Sequence, residues 1–417
     1  MGLGLHVLGR WRQENVQPEL LERWFRRHCG SALLEARILD GDDESTLFVS
    51  IHPAAEDVEV MVSNDGRVVV SAKTSTVGPG YHQYLASLLH RLGNDQGIDW
   101  AAPGENEGTG DETGYFETGD RGALEREMLA WLRRLANALL EHLADSSVSN
   151  LQVGMAVGHS YACEGAIMTP LGPRSREWIQ RVSSDPTQGI DLFPWWPEGL
   201  GANYYLGMAL VRMWTDIRWR PPVSESETAT LRETLGWLEA ARQFDSQLEY
   251  PMAEWREIAS ALGERVTLPV PDGTPPAAIG YRRRPTWVAI TEGWSIQIPG
   301  EFAEAWDDGT WTAWDDTAGI WFSSYAFEGA GRPCMEVLDD ALTNAPALRS
   351  EIIERQSEHL AGRAGVGPAN AHSSTWFLTG VLAHSAGFSI CTIEFEGPAR
   401  KAWAVEIWQS IRWVDST

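Results

Sequence analysis

The chain has 417 residues, long enough for two or three domains, and its 43% hydrophobic content is that of a globular protein and excludes a disordered one. Its 58 acidic side chains against 33 basic ones give a net charge of −25. A field of this sign repels phosphates and anionic membrane surfaces, which argues against nucleic-acid and membrane binding and favours a basic partner.

Solubility alone also benefits from such a charge. Lys73 and Lys401 are the only lysines, so the basic residues are almost all arginine, and the one tight run is Arg282, Arg283 and Arg284. Planar anion recognition by arginine needs a cluster of this kind. The four cysteines, Cys29, Cys163, Cys334 and Cys391, form no CxxC pair, which excludes zinc and redox spacings and suits buried thiols in a reducing cytoplasm. The N-terminal MGLGLHVLGRWRQ is charged too early for a signal peptide, and no apolar run approaches the ~18–20 residues of a membrane span.

In chain order, 18–29 reads as a helix with Leu20, Leu21, Trp24, Phe25 and His28 on one face. LFVSI (47–51), VEVMV (58–62) and RVVVSA (67–72) then alternate as strands of an antiparallel meander, with Asn64-Asp65-Gly66 as a hairpin turn. Pro79 and Gly80 open a helix to Gly93. Residues 94–120 read as a loop bearing Asp95, Asp99, Glu105, Glu107, Asp111, Glu112, Glu117 and Asp120 without the register of a calcium loop. A long helix follows over 121–143, and LQVGMAV (151–157) reads as a buried strand. Helices are expected at 203–217, at 225–244 after a Ser224/Glu227 capping box, and at 252–262 before Gly263.

Pro269, Pro271, Pro275 and Pro276 break all periodicity and mark a linker at 264–285 between modules 1–263 and 286–417. Beyond it, 287–290, 294–298, 310–314 and 320–327 alternate as strands. Helical segments are expected at 333–343 and 347–361, a hairpin over 376–384 and 388–396, and a closing helix over 399–412. The fold class is therefore α+β twice: an antiparallel sheet with several helices, then a smaller module.

Three stretches of the second module carry a resemblance: Trp294-Ser-Ile-Gln-Ile-Pro-Gly, Thr310-Trp-Thr-Ala-Trp with Ile320-Trp-Phe-Ser-Ser, and Ala402-Trp-Ala-Val-Glu-Ile-Trp-Gln-Ser-Ile-Arg. Their order over about 290–413 resembles the PsbP-like α/β/α sandwich, a group that includes adaptors for secreted bacterial toxin effectors. The resemblance implies a binding or scaffolding module, and the first module resembles no named family.

Two sets of residues are candidates for function. Gly158-His159-Ser160-Tyr161-Ala162 follows the strand expected at 151–157 and is a degenerate GxSxG elbow, with Ser160 as nucleophile and His159 beside it. The surroundings lack the alternating strands and helices of a hydrolase, so this is the alternative reading. The other set is aromatic and basic. Trp195 and Trp196, between Pro194 and Pro197, have the look of an exposed loop, and Arg218, Trp219 and Arg220 interleave the two commonest interface anchor types. The expectation is a non-enzymatic, cytoplasmic, cofactor-free protein that binds a basic partner, as a toxin immunity protein or effector adaptor does.

Overall fold

The computed structural model describes residues 2–12, 18–102, 109–144, 151–155, 158–161, 166–264, 278–291, 293–327, 331–344, 348 and 351–413. The four prolines of the expected linker, and Glu105, Glu107, Ala162 and Cys163, lie outside these residues. The architecture is α+β, with antiparallel ladders throughout its sheets.

The chain divides into two units. The first comprises Met1–Ala156, Cys163–Ile217 and Ala229–Gly280, and the second Val157–Ala162, Arg218–Thr228 and Tyr281–Thr417. The expected single cut at 264–285 is corrected accordingly, because two short segments from the middle of the chain belong with the C-terminal unit.

The first unit begins with β1 (Gly4–Trp11), α1 (Pro18–Cys29), β2 (Glu35–Asp40), β3 (Glu44–Ser50), β4 (Val58–Ser63), β5 (Arg67–Lys73), α2 (Pro79–Gln96) and β6 (Ile98–Trp100). The sheet order is β2-β3-β4-β5-β1-β6. Gly66, at φ 84°, donates its N–H to the Ser63 carbonyl at 2.9 Å and closes the β4–β5 hairpin, a left-handed position that glycine adopts freely. The central strand β1 was not foreseen, although Leu5, Val7 and Trp11 alternate inward. The expected loop at 94–120 also holds regular structure: Gly97 caps α2, β6 pairs with β1, and β7 (Gly110–Asp111) and α3 (Tyr115–Thr118) follow.

Next come α4 (Arg121–Ala144), β8 (His159–Tyr161, in the second unit), β9 (Ala166–Ile167), β10 (Arg174–Ser175) and α5 (Arg176–Ser184). Then α6 (Ala202–Thr215), α7 (Glu225–Phe244) and α8 (Met252–Ala261) match three expected helices. Of the strand expected at 151–157, residues 156 and 157 lie outside the described residues, and the described ones make one parallel bridge, Gln152↔Met168, because Gly154 at φ 67° turns the backbone out of the extended region.

The second unit holds β11 (Thr286–Thr291), β12 (Trp294–Ile298), β13 (Ala303–Asp307), β14 (Thr310–Trp314), β15 (Ala318–Ala326), α9 (Cys334–Asn344), β16 (Glu351–Gln356), β17 (Ala361–Pro368), β18 (Thr375–His384), β19 (Gly387–Glu396), α10 (Lys401–Ser410) and β20 (Arg412–Trp413). They form a sheet β13-β14-β15-β19-β18-β17-β16 and a second sheet β20-β12-β11-β8. The helix expected over 347–361 is instead the strand β16, which leads to β17. Glu351–Gln356 pairs along the whole length of β17, and that tertiary pairing overrides the helix preference of Glu, Arg and Gln.

One face of the larger sheet gives Trp311, Ile320, Phe322, Leu378 and Ile393 to a core shared with Ile296 and Ile298 of the smaller sheet and Trp408 of α10. On the other face α9 packs Val337, Leu338 and Ala341 against Ala361, Val381 and Ala383. Trp408 is fully buried and lies over Gly380, where an added Cβ would sit 2.2 Å from its indole nitrogen. Gly380→Ala should therefore destabilise the protein by about 1–3 kcal/mol through overpacking, measurable as a lowered midpoint of urea unfolding followed by tryptophan fluorescence.

Candidate functional site

Ser160 lies in the middle of β8, opposite Trp287 of β11, and not at a strand-to-helix turn. Successive strand residues face opposite sides of a sheet, so the His159 imidazole points away from the Ser160 hydroxyl. His159 Nε2 instead lies 3.0 Å from Glu304 Oε2. The elbow geometry that the sequence suggested is thus corrected: a serine held within a ladder lacks both the strained turn and the adjacent base.

That histidine belongs to a buried ionic cluster within the second unit. Glu304, at the start of β13, accepts from Arg282 Nη1 at 2.8 Å and lies 3.8 Å from Arg218 Nη2. Arg218 Nε donates to the Phe302 carbonyl at 2.6 Å, and Arg220 Nε to the Glu301 carbonyl at 2.7 Å. Arg220 also makes a two-pronged pair with Glu227, at 2.8 and 3.0 Å. The expected capping box is half realised. Ser224 Oγ accepts from the Glu227 N–H, while the Glu227 carboxylate takes the Val223 N–H. Trp219 sits at φ 54°, a strained conformation for a bulky residue, with the Arg283 guanidinium 3.7 Å over its ring. Arg218, Trp219 and Arg220 are therefore half-buried and engaged within the second unit, and do not stand free on the surface as an expected partner anchor. The described partners of Arg282 and Arg283, Glu304 and Trp219, belong to that same unit.

Trp195 is likewise corrected, from exposed loop residue to core. It is 0% exposed and lies among Tyr204 (4.4 Å between centroids), Tyr84 (5.3 Å) and Tyr81 (6.0 Å). Its indole N–H donates to the Gly199 carbonyl at 3.2 Å. Two glycines let the Pro194–Pro197 loop sink this far. A Cβ on Gly80 would lie 2.4 Å from the Pro197 carbonyl oxygen, and one on Gly207 2.1 Å from that of Pro194. Trp196 is half-buried, 5.3 Å from Phe193, and its carbonyl accepts from Arg121.

The acidic loop is not only a solvated surface, since its Asp111 is hydrogen-bonded to His82 of α2 in the interior. The side chains of His82 and Asp111 are both inaccessible, with Nε2 and Oδ2 2.9 Å apart. Burial pushes the Asp111 carboxyl up, but His82 and the N–H groups of Phe116 and Thr113 outweigh it and hold the carboxyl below its usual range. Among the described residues no group of three His, Cys, Asp or Glu side chains is placed to hold a metal ion.

An exposed aromatic row lies along β15 and just beyond it, outside the tryptophan clusters that the sequence suggests. Trp321 (39% exposed), Tyr325 (48%) and Phe327 (38%) follow one another on the side opposite the buried Ile320 and Phe322. Tyr325 stacks on Phe388 at 4.8 Å, and Phe327 lies 5.7 Å from the same ring. Thr312 and Thr392 flank Trp321 across the ladder. Strands β13, β14, β15 and β19 contain Glu304, Asp307, Glu394 and Glu396 and no lysine or arginine. Asp307 and Glu394 share the aromatic face by register, Asp307 opposite Thr310 and Glu394 opposite Gly319. The period-two rule alone places Trp321 and Tyr325 on the outer face once Ile320 and Phe322 are assigned to the core.

No protein-family model matches the chain, and no curated protein does. Among solved structures, a protein of Bacteroides thetaiotaomicron is 12% identical, with the match covering 31% of this chain and 48% of that one at a TM-score of 0.24. The match spans about half the length of that protein, and a likeness this slight carries no argument about fold or function.

Burial raises the Glu304 carboxyl, but the His159 hydrogen bond and the Arg282 charge outweigh it and bring its pKa from 4.5 down to about 2. A carboxylate depressed on folding contributes its stability in full above pH 4.5 and loses it as the pH falls towards 2. The amount is about 3 kcal/mol. Glu304→Gln should lower stability at pH 7 by about 3–5 kcal/mol, since it strands buried arginines, and should flatten the acid limb of a stability–pH profile measured by urea unfolding.

Proposed function

We propose that the protein is a non-enzymatic binding protein for a basic protein partner, acting in the cytoplasm as a toxin immunity protein or effector adaptor does. One observation carries this reading: the exposed aromatic face of β15 lies among strands that bear carboxylates and no basic residue. An arginine or lysine brought to Trp321 would gain cation–π attraction, and Asp307 and Glu394 would accept its hydrogen bonds. The −25 net charge would steer such a partner in and speed encounter. No helix among the described residues is long and apolar enough to cross a membrane. The PsbP-like resemblance belongs to the same proposal. Its support is that α9 packs on one face of the larger sheet and α10 on the other.

An arginine-rich peptide and a charge-reversed counterpart are suitable probes, titrated while tryptophan fluorescence is read. The arginine peptide should bind with an affinity that falls as salt rises, and Trp321→Ala with Tyr325→Ala should weaken it at least fivefold. Equal binding by the double variant would reduce the interaction to general electrostatics and sink the assignment of this face.

A further inference from the structure

Among the described residues of the first unit, the fully buried rings of His52, Tyr81 and Tyr204 carry polar atoms with no hydrogen-bond partner, His52 Nε2, Tyr81 Oη and Tyr204 Oη, as does the Ser75 hydroxyl outside this ring cluster. They come from three places in the sequence, the turn after β3, the first turn of α2 and the first turn of α6. The His52 ring centroid lies 6.4 Å from that of Tyr81 and 6.3 Å from that of Tyr204, and Trp195 packs against all three. Trp195 brings no spare donor, since its indole N–H is bound to Gly199.

The protonation states follow from the contacts. The Ala54 N–H donates to His52 Nδ1 at 3.1 Å, so Nδ1 is an acceptor and the proton of the neutral ring sits on Nε2. Burial, with the nearby Arg212 charge, lowers the His52 pKa to about 3 and keeps the ring neutral. Burial also raises both phenols, which stay protonated. The cluster therefore offers one fixed donor and two hydroxyls that donate or accept. An orphaned buried donor costs a full desolvation penalty, and three beside one another are rare in a native interior.

We propose that His52, Tyr81 and Tyr204 form an internal binding site for one small neutral hydroxylic molecule, water or a compact alcohol. Its oxygen accepts from His52 Nε2–H and from one tyrosine hydroxyl, and its own O–H donates to the other hydroxyl oxygen. These are the roughly three bonds a buried water makes. None of the three atoms bonds another although their rings are neighbours, so one bridging oxygen is the group that would satisfy them together. The charged groups that act on the three rings are Arg212 at His52, Asp57 at Tyr81 and Glu233 at Tyr204, one cation against two carboxylates, and the rings themselves are neutral, which suits an uncharged ligand.

The test is a double-variant cycle on the full chain with Tyr81→Phe, Tyr204→Phe and both together, read by thermal unfolding and by proton NMR. If the site is occupied, each single change lowers Tm by about 2–4 °C. The double change then costs less than the sum, because both tyrosines bind the same molecule, and the His52 Nε2 proton cross-relaxes with a long-lived hydroxyl. A saturable rise in Tm with millimolar methanol or ethanol, lost in Tyr204→Phe, identifies an alcohol as ligand; a cross-peak without that rise identifies water. Singles that raise Tm and add together, with no cross-peak, overturn the site, since deleting truly orphaned hydroxyls relieves a penalty.

Discussion

The second unit depends on one buried carboxylate. Glu304 opens an edge strand of the larger sheet, and it gathers His159 from β8, Arg218 from the loop before α7, and Arg282 from the turn before β11. Taking the Glu304 carboxylate and the Arg218 and Arg282 guanidinium groups out of water costs several kcal/mol per ion, and the arrangement is tolerable only because each finds a partner. Once it forms, other features follow. β8 is held as a fourth strand against β11, and Arg218 and Arg220 cap the carbonyls of Phe302 and Glu301, which lie just ahead of the edge strand. Trp219 is kept in a left-handed conformation under Arg283. Such strain persists where the surroundings over-determine it.

The same cluster explains why a linear reading of the domains fell short. Composition located a proline-rich break, and no local pattern says that 157–162 and 218–228 belong with the far end of the chain. Their membership is set by contacts between Arg, His and Glu residues separated by up to 145 positions. Periodicity was informative where packing repeats it. Helices α1, α2, α4, α6, α7 and α8 and the strands β3, β4, β5, β11, β12, β14, β15, β18 and β19 all follow their apolar spacing. It failed at β16, whose charged, helix-favouring residues form a strand because β17 pairs with them, and at β1, where two glycines interrupt the alternation.

The candidate sites were less legible than the fold for a related reason. Tryptophan and arginine in a loop look like an interface whether they face solvent or the core. Trp195 turns inward because Gly80 and Gly207 make room for its loop, and Arg218 and Arg220 turn inward because Glu227 and Glu304 await them. Trp321 and Tyr325 attract no notice as a cluster, yet their alternation with Ile320 and Phe322 puts them outside. The exposed aromatic row is what the core leaves uncovered.

If Glu304 is the tie, removing its charge should release its partners together while the rest of the core holds. The direct measurement is amide hydrogen exchange on Glu304→Gln and the unmodified protein at neutral pH. The account predicts that His159–Tyr161 and Arg218–Arg220 lose protection together and to a similar degree, with β18 and β19 still protected. Unchanged protection in both segments, or loss in one without the other, would contradict it.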